Sequence, residues 1–183
     1  MGLYLYMYGM KLEKLNRLYE ILDDEDEIEL DNILDDDDNE YYDLDKGWDV
    51  ISFLITGTTA DFELDDPLDD PGAPVFKSEA PLCDFLKDKW QTDLSIGEYN
   101  WKLDPEIVNM FSNALSLISD EEIRKRCHQA RLLPQEERVR LYCDYGLFDE
   151  DESDDEIVNM FSEVRSFFEQ CTKKGYAVIM TMG

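Results

Sequence analysis

The sequence predicts an α+β domain: a small central sheet that includes the N- and C-terminal strands, packed with several amphipathic helices. Three observations carry this prediction. Alternating or β-favouring runs lie at both ends of the chain, Leu3–Tyr8 and Tyr176–Met182. Between them, apolar residues recur at spacings of three and four, the period of a helix. The 183 residues fit one domain with its own core, so residues 1–183 are expected to form a single unit.

Taken in order, Leu3, Leu5 and Met7 fall on one face of the first strand and Tyr4, Tyr6 and Tyr8 on the other, so both faces should be covered. Leu12, Leu15, Leu18, Tyr19 and Leu22 predict a helix over 11–22. The acidic stretch 23–45 reads mostly as loop, with a short helix around 28–34. Trp48 to Ile55 is apolar on nearly every side, which predicts a buried helix with Trp48 in the core. Asp45 fits its N-cap and Gly57 its C-terminal turn. Residues 61–74, rich in Asp and Pro, read as a surface loop. A short helix is expected over 81–89 and a strand over 94–101. Asp104-Pro105-Glu106 is a helix start, with Ile107, Met110, Phe111, Ala114, Leu115 and Ile118 behind it. Ser119-Asp-Glu-Glu122 is a capping box for the next helix. After a second acidic loop at 149–155, Ile157 to Cys171 line a last helix, ended by Lys173, Lys174 and Gly175. One internal repeat is visible, Glu106–Ser112 recurring as Glu156–Ser162. Two copies make no solenoid, and they read as two helices with similar packing seats.

Charge is the outlier. Lys and Arg number 17 against 45 Asp and Glu, a net charge of −28. Such a chain disfavours phosphate backbones, which recruit Lys and Arg, and suits a basic protein partner. The apolar fraction of 43% and the many Tyr and Phe residues set it apart from a disordered acidic tail. No apolar run approaches the ~20 residues of a membrane span, and 1–10 lacks the basic start of a signal peptide. The cytoplasm is therefore the expected compartment.

No motif identifies a reaction or a cofactor. Cys83, Cys127, Cys143 and Cys171 form no CxxC pair and read as free thiols, not as disulfides or zinc ligands. The run Asp35-Asp36-Asp37-Asp38 invites a calcium reading. An EF-hand loop from Asp35 would need Gly where Glu40 stands and a bidentate Glu where Lys46 stands, so no metal site is assigned. His128 is the one histidine and follows Cys127 directly. Neighbours on a helix do not face each other, so the two make no nucleophile pair. Gly57 and Gly72 lie in no phosphate-cradling pattern. Arg124, Lys125, Arg126, Arg131, Arg138 and Arg140 cluster in one stretch, read as neutralising the chain's own acids, with a small anion-binding patch as the alternative.

The segment Leu44-Asp-Lys-Gly-Trp-Asp-Val-Ile-Ser-Phe-Leu-Ile-Thr-Gly57 resembles a signature of the YfbM-like bacterial proteins, domain of unknown function 1877. Met1-Gly2 before the first strand and Thr56-Gly57 after the Trp helix match that family's landmarks. The helices at 104–118, 119–131 and 154–174 and the final strand are similar in pattern, so the resemblance covers nearly the whole chain. It implies a small α+β domain from bacteria and brings no activity with it. Relatives often carry His within the Trp helix where this chain has Ser52, so a role for that His would be missing here.

Two function classes remain. One is a non-catalytic acidic protein that masks a basic protein, as immunity proteins, antitoxins and nucleic-acid mimics do. The acidic blocks adjoin aromatics, which nominates Asp35, Asp36, Asp37, Asp38, Tyr41, Tyr42, Phe62 and Phe148 as partner-binding residues. The other is an enzyme with an unrecognised carboxylate-based site. A convergent pocket with perturbed carboxylates would favour the enzyme, and an acidic surface with exposed aromatics the binder.

Overall fold

The computed structural model describes residues 4–24, 27–58, 75–94, 96–134 and 153–183. Its centre is a four-stranded sheet, antiparallel throughout, of β1 (Leu5–Met10), β2 (Glu40–Asp45), β3 (Tyr99–Leu103) and β4 (Ala177–Met182). The order is β2-β1-β4-β3. The expected N- and C-terminal strands thus lie side by side in the middle, with Leu5 opposite Met182 and Met10 opposite Ala177. Reciprocal hydrogen bonds between Tyr4 and Gly183 extend this pairing by one residue (3.1 and 3.3 Å).

Six helices flank the sheet among the described residues: α1 (Leu12–Asp24), α2 (Glu27–Leu34), α3 (Trp48–Thr56), α4 (Pro105–Ser116), α5 (Asp120–Arg131) and α6 (Asp154–Lys174). The period-two pattern of β1 divides them. Leu5 and Met7 join Met180, Met182, Trp101 and Leu103 in the larger core, with α3, α4, α5 and α6. On the other face Met10, Ala177 and Ile179 pack with Leu15 and Leu18 of α1 in a smaller core. Each buried side chain of the Phe or Leu class contributes about 1.5–3 kcal/mol, so the ends of the sequence are held by the bulk of the core.

Local signals set the helix ends. Asp104 is extended (φ −68, ψ 159) and Pro105 fills the first turn of α4. Ser119 Oγ accepts from the Glu122 amide at 3.1 Å, and Ser153 Oγ accepts from the Asp155 amide at 3.1 Å. Gly175 (φ 67) ends α6 in the left-handed conformation that C-terminal turns favour. The repeated heptapeptide opens α4 and α6, which pack against each other. Val108 and Phe111 in one copy match Val158 and Phe161 in the other, all four buried. The seats expected from the repeat match at these positions, whereas Met110 is exposed and Met160 packs against the larger core.

α6 approaches the sheet closely where β1 has no side chain. A Cβ on Gly9 would collide with Cys171 Sγ, so glycine is what lets helix and strand meet there. Burial drives the thiols of Cys127 and Cys171 up to about 12. Together with Cys83 they are free, as expected, and Cys143 lies outside the described residues.

Several expectations need correction. The short helix expected around 28–34 is present as α2, but the stretch 23–45 is not mostly loop, because it also holds the edge strand β2. Asp45 does not cap α3. It takes a left-handed conformation (φ 50) at the end of β2, and Gly47 occupies the cap position. Trp48, in the first turn of α3, is only half-buried against the core, whereas Trp101 is fully enclosed. Residues 81–89 form two short 3-10 turns, Leu82–Asp84 and Asp88–Trp90, in place of a helix. β3 begins at Tyr99, five residues later than expected. Of the acidic loop expected at 149–155, Asp154 and Asp155 belong to α6, and residues 149–152 lie outside the described residues. The expected loop at 61–74 lies outside the described residues.

Candidate binding face at the sheet edge

β2 alternates weakly, with exposed Tyr41 and Asp43 on one side and half-buried Tyr42 and buried Leu44 on the other. Leu44, on the Tyr42 side, is buried in the larger core, and the register shifts beside it at a bulge near Leu5 and Tyr6. Tyr41 lies opposite Tyr8 and Asp43 opposite Tyr6. The rings of Tyr8 and Tyr41 are 5.1 Å apart and tilted by 47°. Burial raises the pKa of both phenols, and the nearby charges of Asp43 and of Asp35, just past α2, add to it. The result is a small tyrosine face edged by carboxylates, adjoining the smaller core, against which Tyr8 packs. Tyr41 is its most open member, at 53% exposure. A cation already sits on a ring nearby, Lys46 Nζ lying 5.4 Å from the Tyr4 centroid.

The four consecutive aspartates have different fates. Asp36 is tied to Lys14 Nζ at 2.6 Å, and that hydrogen bond together with one from the Asp38 amide holds its carboxyl below the usual range. Asp38 stands 3.9 Å from Lys11, and its carbonyl accepts from Tyr176 at 2.9 Å. These two help anchor the turn between α2 and β2. Asn39 reinforces it by donating to the Ile33 and Leu34 carbonyls at the end of α2. Asp35 and Asp37 are exposed. Tyr42 points to the opposite face, where its hydroxyl donates to Glu163 Oε2 of α6 at 2.8 Å. It therefore belongs to the packing between sheet and helix. Phe62 and Phe148 lie outside the described residues. The structure thus places Asp35 and Tyr41 together, and adds Tyr6, Tyr8 and Asp43, which had not been singled out.

The basic stretch on α5 is largely engaged with acids. Arg124 Nη2 meets Asp155 at 2.6 Å, Lys125 meets Glu122 at 3.2 Å, and Arg131 pairs with Asp154. Arg126, nearly buried, donates to the Leu54 carbonyl and packs over the Phe76 ring at 5.5 Å. Burial alone would raise the Glu122 carboxyl, but hydrogen bonds from Lys125 and Arg126 hold it low. This favours intramolecular neutralisation for the four described members, while Arg138 and Arg140 lie outside the described residues. His128 is exposed on α5, and buried Ser52 in α3 has no hydrogen-bond partner for its hydroxyl among the described residues. Among those residues no group of three or more His, Cys, Asp or Glu is placed to hold a metal, and no helix is long and apolar enough to cross a membrane.

The phenols give the face a pH signature. Partial burial, then the nearby Tyr41, Asp35, Tyr6 and Asp43, raise Tyr8 to about 12. Tyr42 is raised too, by burial and by its bond to Glu163. Unfolded tyrosine loses its proton near pH 10, so between there and about 12 the unfolded chain binds fewer protons than the folded one. Stability contributed by the protonated Tyr8 phenol is complete below pH 10 and is lost as pH rises through that window. Denaturant melts should show the decline, and Tyr8→Phe should flatten it. An unchanged slope in Tyr8→Phe would contradict the shift.

The comparisons with known proteins agree with this architecture. A family model described as a domain of unknown function, DUF1877, matches residues 1–181. Among solved structures, the fold is similar to that of a protein of unknown function, YfbM, from Escherichia coli. That match has a TM-score of 0.58 and 17% identity, and covers 98% of this chain and 99% of the other. No curated protein matches the sequence. With the family model spanning almost every residue, the chain belongs to the DUF1877 family of YfbM-like proteins.

Proposed function

We propose that this protein acts by binding a basic protein, and that the tyrosine face edged by Asp35 and Asp43 is where the partner is held. The observation that supports this most directly is Tyr41, an exposed aromatic on an ordered strand with carboxylates beside it. Carboxylates speed the encounter with an opposite charge and fix its orientation, and a partly desolvated ring supplies the anchor that charge alone lacks. The overall charge of −28 makes the potential negative over much of the surface and draws a basic partner from a distance.

The reading is tested with the whole protein immobilised in a lysate of its native host at low ionic strength, followed by titration of the purified partner. Asp36 and Asp38 are best left intact, since the ion pair of Asp36 with Lys14 of α1 and its hydrogen bond from the Asp38 amide anchor the turn. Asp35→Asn with Asp43→Asn and Tyr41→Ala should weaken binding about tenfold or more. The melting temperature should barely move, and association should slow steeply as salt rises. If the wild type recovers no basic protein and instead turns over small metabolites, the carboxylate-enzyme alternative replaces this reading.

A further inference from the structure

We propose that the outer edge of β2 receives an extended, arginine- or lysine-bearing segment of the basic partner as a fifth strand of the sheet; this rests on the binding reading above. The hydrogen-bond register fixes which backbone groups are available. Tyr4 and Gly183 exchange both of their bonds, so Tyr4 turns its backbone toward β4. In an antiparallel ladder this alternates along the strand. Tyr6 and Tyr8 therefore also turn toward β4, while Met7 and Gly9 turn toward β2. Their partners are Tyr42 and Glu40, which spend their backbone groups on β1. Tyr41 and Asp43 consequently point their N–H and C=O groups outward. Among the described residues nothing else hydrogen-bonds to the backbone of either. The opposite edge of the sheet is different: beyond β3, Gln91 bridges Trp101 and the Thr92 amide donates to the Asn100 carbonyl at 2.9 Å.

Charge selects what fits on this edge, which no described segment covers. Asp43 and Asp45 are exposed acids on β2, while Glu40 is already ion-paired with Lys174 of α6 at 2.7 Å. Acids on an edge strand repel a second copy of this highly negative chain and attract a basic one. In antiparallel addition, the guest residues directly opposite Tyr41 and Asp43 exchange about four hydrogen bonds with them. The same guest residues send their side chains onto the tyrosine face. An arginine opposite Asp43 then meets that carboxylate, and one opposite Tyr41 lies against its ring, as Lys46 already does on Tyr4. The backbone supplies affinity, and the alternation of basic residues supplies register.

The test uses a short peptide of alternating arginine and threonine and two versions of it, N-methylated at every arginine or at every threonine. With arginines on the tyrosine face, their amides point into the β2 edge and the threonine amides point away. The unmodified and threonine-methylated peptides should bind comparably at low salt, and the arginine-methylated one about tenfold more weakly. The Tyr41 and Asp43 amides should gain protection from hydrogen exchange. Equal binding of all three peptides, with no added protection, overturns strand addition and leaves charge-based binding standing. If no peptide binds at low salt, both readings fall.

Discussion

A chain cut after Tyr176 is expected to lose its cooperative melt and its native circular dichroism. The lost residues include all of β4, which pairs with β1 on one side and β3 on the other. Each of its six residues is buried. Val178, Met180 and Met182 belong to the larger core, and Ala177 and Ile179 to the smaller one. With the apolar side chains contributing about 1.5–3 kcal/mol each, the loss approaches the whole stability of an ordinary domain, about 5–15 kcal/mol. It also strands the edges of β1 and β3 without partners. A truncated chain that still melts sharply near the native temperature would mean the sheet does not depend on its central strand.

Gly57→Ala is expected to be the most damaging single substitution at a turn. Gly57 ends α3 at φ 80, ψ 3, and its amide donates to the Phe53 carbonyl at 2.7 Å. Its own carbonyl accepts from the Val75 amide at 2.9 Å, so the chain turns here and is immediately gripped by another segment. A left-handed conformation costs a residue with a Cβ roughly 1–2 kcal/mol. The new Cβ would also collide with the Phe76 carbonyl oxygen and stand 2.9 Å from its amide nitrogen. Backbone at both ends leaves little room to relax, and such overpacking adds about 1–3 kcal/mol. Together these predict a melting point lower by about 5–15 °C. A calorimetric shift below a couple of degrees would show that the turn yields.

Much of the helical architecture is written locally. Ser119, Asp104-Pro105, Gly57 and Gly175 mark helix ends through the backbone groups they satisfy or the conformations they permit. Those effects span a few residues and so appear in the sequence. β2 leaves no comparable trace. Only Leu44 in Glu40–Asp45 is buried, so the alternation is weak, and acids weaken a strand's intrinsic preference. What makes it a strand is β1, more than thirty residues earlier in the chain. The candidate face is hidden for the same reason. Tyr41 stood out beside acids, but its association with Tyr6 and Tyr8 comes from strand register, which no local pattern specifies. Tyr42 looked equivalent to Tyr41 in the sequence. The pleat separates them, turning one toward solvent and the other toward Glu163.

The pairing of β1 with β4 also governs how the fold is reached. Pairs such as Leu5 with Met182 join nearly opposite ends of the described chain, so the sheet has no short route to its own centre. Closing so long a loop is entropically costly before the pairing gains anything, and folds dominated by distant contacts assemble slowly. The α4–α5–α6 helices can gather early through contacts closer in sequence, with β3 and β4 at the two ends of that unit. Meanwhile β1, β2 and α1 wait for β4 with one strand edge bare, the stage at which a chain is most open to wrong pairing.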